Sequence, residues 1–162
     1  MKRILIPLDL MRSPCDALVY ARKMAADSPV CVTLLYVLNL NIAPLGRKIV
    51  DELCAESEAA LRKLARFFFG AGQAARVVVR LGAPHQEIVA EAKVESSDLI
   101  ILSRPAPRAW NPFSRWSTTQ RVIDSAPCPA VVLPRRRPMG AQPLRLPAST
   151  EDTPRDAFLP AA

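Results

Sequence analysis

Glycine and histidine are scarce in this chain, with five glycines and one histidine among 162 residues. Neither GxxxxGK[ST] nor GxGxxG occurs, which excludes both common phosphate-loop motifs. No recognisable motif sets a serine or cysteine nucleophile beside the lone histidine, His85, so no catalytic residue is assigned. His85 is expected instead as an exposed residue at a helix start. The four cysteines (Cys15, Cys31, Cys54 and Cys128) lie far apart and form no CxxC pair. They are expected to be buried free thiols, with no metal site. Long apolar runs are also missing: VCVTLLYVL at 30–38 is the longest, about half of what a membrane span needs. The stretch MKRILIPLD passes straight into a strand pattern without a cleavable signal. The expectation is a cytoplasmic protein without a membrane partner.

The formal charge of +7 is not concentrated. Residues 135–162 hold five arginines against Glu151, Asp152 and Asp156, a net +2, which leaves +5 spread over residues 1–134. No basic patch dominates. The stretch RRRPMGAQPLRLPASTEDTPRDAFLPAA has frequent prolines and no apolar periodicity, so it is predicted to be a disordered tail. The domain organisation expected is one folded unit over 1–134 followed by this Pro/Arg-rich tail over 135–162.

Within 1–134, apolar runs of strand length alternate with helical patterns. RILIPLD (3–9), VCVTLLYVL (30–38), ARVVVRL (75–81), DLIILS (98–103) and PAVVLP (129–134) are nearly continuous in apolar character, as strands covered on both faces are. A first helix is expected after Ser13 as N-cap, with Pro14 at its first position and Asp16 at its third. In the second, Val50, Leu53, Cys54, Leu61, Leu64, Ala65 and Phe68 recur at three- and four-residue steps, and Gly70 or Gly72 can end it. GAPHQEIVAEA opens a third helix with Ile88 and Ala92 inward. A fourth is expected from Ser117, where Ser117 and Gln120 fit a capping box. The fold class predicted is α/β: a five-stranded parallel open sheet with helices on both faces, joined by right-handed crossovers. Ligands of such sheets bind beyond the carboxyl ends of the strands, where strand order reverses. That directs attention to PLD at 7–9, YVL at 36–38 and the loop from Ser103 to Ser117.

A phospho-receiver would share the alternation but needs clustered acids after the first strand and a lysine after the penultimate one. MKRILIPLDL carries only Asp9, and LSRPAP has no lysine. By contrast, ILIPLD, LLYV at 34–37, LGAPHQEIVAEA, DLIIL and RVIDSAPCPAVVLP, taken in order, resemble the universal stress protein family. One branch of that family binds adenine nucleotides through G-x2-G-x9-G-[ST] between the fourth strand and the last helix. Laid on this chain, the motif puts Ser103, Ala106 and Trp116 at the glycines and Ser117 at the hydroxyl position. The spacing survives and every glycine is gone. Glycines let main-chain N–H groups approach phosphate closely and adopt positive φ, both of which a Cβ obstructs. Trp116 would put an indole there, and Pro105, Pro107 and Pro112 remove three amide donors. The loop reads as a degenerate phosphate cradle filled with side chains, and no cofactor is expected. The resemblance also implies that Asp9 and Val37 border the adenine side of the site, although Asp9 equally suits capping the turn toward Ser13.

Two alternatives accompany this reading. A divergent nucleotide switch would keep Asp9 and Val37 and use Arg104 or Arg108 on the phosphates of ATP or AMP with magnesium. A polyanion or RNA binder would use Arg104, Arg108 and Arg115 interleaved with Trp110, Phe113 and Trp116. Three arginines over twelve residues make a thin electrostatic footprint, so nucleic acid is not the expected partner. The resemblance implies a homodimer through the last strand, with Val131, Val132 and Leu133 at the centre of the contact. Prolines at both ends of PAVVLP agree with an edge strand. The FFF run at 67–69 has one face in the helix stripe, and a second surface for a protein partner is only its alternative reading. The function expected is a dimeric regulatory or protective binding protein of the stress response, not an enzyme.

Overall fold

The computed structural model describes residues 1–10, 15–39, 46–70, 75–103 and 113–134; the side chains of Cys15 and of residues 113–117 are not described. The described elements run β1 (Lys2–Leu8), α1 (Cys15–Asp27), β2 (Val30–Leu38), α2 (Arg47–Phe69), β3 (Arg76–Leu81), α3 (Pro84–Val94), β4 (Leu99–Ser103), α4 (Phe113–Ser125) and β5 (Ala130–Leu133). The strands form one parallel sheet in the order β3-β2-β1-β4-β5. The predicted fold class is therefore the observed one, and β5 occupies an edge. The expected tail, 135–162, lies outside the described residues.

Period-two alternation along the strands splits the core into two layers. Ile4, Ile6 and Leu8 of β1 join Val30, Val32 and Leu34 of β2 against Ala17, Leu18 and Ala21 of α1 and Leu61, Ala65 and Phe69 of α2. Leu5, Leu35, Ile100 and Leu102 point the other way, against Ile88 and Ala92 of α3 and Val122 of α4. This two-sided coverage is why the strands lack polar alternation. Each fully buried Leu or Ile stabilises the fold by about 2 kcal/mol relative to exposure.

Local signals explain several boundaries. Gly70, at φ 70°, ends α2, and its N–H donates to the Arg66 carbonyl at 2.9 Å. Pro84 opens α3 at a position where a missing N–H costs nothing. Gly82 has φ 148°, and an added Cβ would lie 2.8 Å from Glu87 Oε1, so the β3-to-α3 turn requires glycine. Ser13, Pro14 and Gly72 lie outside the described residues.

Pro7 stands in a central strand, a place prolines avoid. The Asp98 N–H donates to the Arg3 carbonyl at 2.8 Å, and the Arg3 N–H donates to Asp98 Oδ2 at 2.7 Å. Alternation then turns the main chain of Pro7 toward β4 as well, where it offers no donor. Pairing of β1 with β2 runs from Lys2–Val30 to Leu8–Tyr36, whereas pairing with β4 is confined to Ile4–Leu99 and Leu5–Ile100. The sheet is thus least stitched together at the carboxyl ends of β1 and β4.

Three expectations need correction. The helix expected from Ser117 begins at Phe113, so Ser117 is its fifth residue and not its N-cap. Gln120 Nε2 donates forward to Asp124 Oδ1 at 2.8 Å, which replaces the expected capping box. Cys31, Cys54 and Cys128 are free but only half-buried. Burial, and next the Asp98 charge, raises the Cys128 thiol above its ordinary value. His85 follows Pro84 in the first turn of α3 and is half-buried, not exposed.

Candidate functional site

The strand order places the switch point between β1 and β4: the chain builds outward from β1 through β2 to β3, then returns to add β4 on the other side. The crevice beyond their carboxyl ends is where open α/β sheets hold ligands. Leu8 ends β1 there, Asp9 follows it half-buried, and Ser103 ends β4 exposed, opposite Leu133 of β5. Val37, near the end of β2, is half-buried and packs into the layer under α3 and α4. Asp9, Val37 and Ser103 therefore all lie at the carboxyl end of the sheet. Ala106, Arg104, Arg108 and Trp110 lie outside the described residues.

Trp116 and Ser117 are described in main chain only, as the fourth and fifth residues of α4. From the fifth amide onward an α-helix uses its N–H groups on its own carbonyls. The early start of α4 thereby commits the Ser117 amide to the helix, at the position where the motif would present main chain to phosphate.

Tyr36 was not singled out by the sequence pattern. It lies opposite Leu8 in the β1–β2 register, on the face of the sheet that carries α1 and α2. Its phenol is raised above 10.0, first by burial and then by the negative charge of Asp9. Asp9 and Tyr36 thus form an electrostatically coupled pair at the crevice.

A second polar cluster lies at the β3 edge and was also missed. Glu91 of α3 is 1 % exposed. Its Oε2 accepts from Arg80 Nε at 2.9 Å and from Arg80 Nη2, while Arg76 Nη2 stands 3.7 Å from its Oε1. Arg76 also pairs with Glu95, whose Oε1 accepts from Thr33 Oγ1 at 3.0 Å. The Arg80 guanidinium is pushed above its ordinary value by the Glu91 hydrogen bond first, and then by the charge of Glu91. The sequence holds only the spacings, arginines four apart at 76 and 80 and glutamates at 87, 91 and 95, and the fold brings them together.

Among the described residues, no group of histidine, cysteine and carboxylate side chains could hold a metal ion, and no helix is long and apolar enough to cross a membrane. The FFF run divides, with Phe69 buried and Phe67 78 % exposed; Phe67 meets Phe68 edge-on at a centroid distance of 5.1 Å.

Residues 1–134 match the family model described as the universal stress protein family. A universal stress protein of Methanocaldococcus jannaschii is 26% identical over 138 residues, covering 82% of this chain and 81% of that one. Among solved structures, the universal stress protein UspA from Lactobacillus plantarum is 26% identical with a TM-score of 0.67, covering 82% of this chain and 97% of that one. A universal stress protein solved in complex with cAMP shares the fold at 18% identity and a TM-score of 0.58, covering 82% of this chain and 95% of that one. With the parallel sheet and its strand order already in place, these matches make the chain a member of the universal stress protein family.

Proposed function

We propose that the chain is a regulatory or protective binding protein of the stress response that works in the cytoplasm as a homodimer and does not hold ATP. It acts by association and carries out no catalysis. The observation that carries the nucleotide part is the position of Ser117. Its amide lies past the free first turn of α4, and Trp116 precedes it where the motif has its last glycine. In this reading the glycine amides of the motif are missing from the sequence, and the helix starts ahead of the last of those positions.

The association part rests on β5. Val131, Val132 and Leu133 are half-buried within one chain, and the strand lies at the sheet edge with Pro129 and Pro134 on either side. Pairing with a second β5 would complete both main-chain hydrogen bonding and apolar burial. The test combines light scattering behind a sizing column with release of nucleotide from denatured protein and calorimetric titration with ATP and magnesium. A dimer free of adenine nucleotide is expected. Stoichiometric nucleotide or micromolar binding would overturn the reading.

A second reading is favoured by Asp9 at the switch point, by Val37 at the carboxyl end of the neighbouring β2, and by the relative solved with cAMP. In it the chain is a divergent adenine-nucleotide switch in which Arg104 or Arg108 meets the phosphates. The same titration separates the two, since only the switch loses affinity on Arg104→Ala or Arg108→Ala. The polyanion reading with Arg115 requires binding of a labelled single strand at low salt.

A further inference from the structure

We infer that the Arg76, Arg80, Glu91 and Glu95 network closes the β3 edge against strand addition by a second copy of this chain, so that the sheet can grow through β5 alone. The inference rests on the reading of β5 as the association edge and names what keeps that association finite. A sheet with two open edges makes head-to-tail contacts that never close, whereas a single open edge paired with its own copy ends at two subunits. The two arginines, four residues apart at 76 and 80, lie on the β3 face that carries α3. Their side chains remain 58% and 43% exposed, and among the described residues no further strand or helix lies beyond them.

A copy added along β3 would bring its own covering helix over that opening. Both guanidiniums would lose their remaining water, and the carboxylates on the copy's helix are already held by its own Arg76 and Arg80. Inward-pointing charges on an edge strand oppose pairing in this way, because desolvating an ion costs more than the pairing returns. Glu91 deepens the effect: it is buried, its Oε1 has no hydrogen-bond partner, and Arg76 stands 3.7 Å away in ion-pair contact only. Any shift of Arg76 to accommodate a new strand would strip charge compensation from that oxygen. Glu87 adds a further negative charge acting on Arg80. The network has no counterpart in β5, whose sequence AVVL is uncharged.

The test uses the full chain carrying Arg76→Val, Arg80→Val and Glu91→Leu together, which removes the Arg80–Glu91 pair jointly and leaves Glu95 with its hydrogen bond from Thr33. Sedimentation over a range of concentrations is compared with wild type, and folding is checked by circular dichroism. The expected result is assembly one edge further than wild type, with a weight-average mass about twofold higher or more and rising with concentration. An assembly identical to wild type overturns the inference. If the triple variant does not fold, Arg76→Thr decides, since it leaves the Arg80–Glu91 pair whole: further assembly supports edge closure, and none refutes it. Failure of the β5 reading looks different. Wild type would then be monomeric, and the triple variant would still have to associate through β3 for edge closure to stand.

Discussion

The two outer strands of this sheet are built from the same β-branched residues and present opposite chemistry to whatever approaches them. At β5 the run AVVL is uncharged, and all four residues are half-buried in one chain. At β3 the run RVVVRL carries an arginine at its first and fifth positions, both tied to carboxylates of α3 or its C-cap. Backbone hydrogen-bonding capacity alone would make the edges equivalent. What separates them is whether a newcomer must desolvate charge. Fold therefore supplies two places for sheet growth, and side-chain placement selects one.

The largest expected effect comes from breaking the charged edge. Arg80→Ala leaves Glu91 buried without its bidentate partner and should destabilise the fold by roughly 3 kcal/mol. That lies at the low end for a broken buried pair because Arg80 keeps contact with water. Urea denaturation checks it, and a loss near zero would show that Glu91 does not depend on Arg80. At the opposite edge, Val132→Pro should convert dimers to monomers while costing the monomer about 1 kcal/mol or less. The Pro129 carbonyl accepts from the Ile100 N–H of β4 at 3.0 Å. Alternation from there points the Val132 N–H outward, so proline removes a donor that only a partner strand would use. A dimer surviving that change removes strand pairing from the account.

A smaller effect belongs to the crevice, where the charge of Asp9 acts on the Tyr36 phenol. Asp9→Asn should lower the pH at which Tyr36 ionises, because the Asp9 charge disfavours the phenolate; phenolate absorbance during alkaline titration reads it. The sign for stability follows from proton binding. Tyr36 is raised in the folded chain, so its contribution is present below pH 10.0 and declines as the pH rises through the folded value. An unchanged titration would place Asp9 too far from the phenol to matter. Phe67→Ser should give the smallest change, within about 0.5 kcal/mol, since a 78 % exposed side chain has little packing to lose. A large loss of stability would show that the exposed ring carries packing after all.

The sequence disclosed the fold because strand burial and helix stripes are repeated signals. The run 30–38 coincides with β2, and the other strands differ from expectation by about one residue at either end. Ile88 and Ala92 face the core as their spacing requires. The start of α4 was misread because Ser117 and Gln120 make a plausible local cap. Asn111–Pro112, immediately before Phe113, is a start signal of the same kind. Tyr36 and the β3 arginines escaped notice because their significance is tertiary. Nothing within Val30–Leu38 tells that Asp9 acts on the phenol, and nothing within Arg76–Leu81 tells that a buried glutamate waits in α3. Such pairs require knowing which strand is the edge.

Native mass spectrometry of freshly purified protein tests association without nucleotide most directly, since one spectrum reads subunit number and bound ligand together. The account predicts the mass of two bare chains and no larger species. A monomer, an open series of higher assemblies, or a dimer carrying one adenine nucleotide per chain would contradict it.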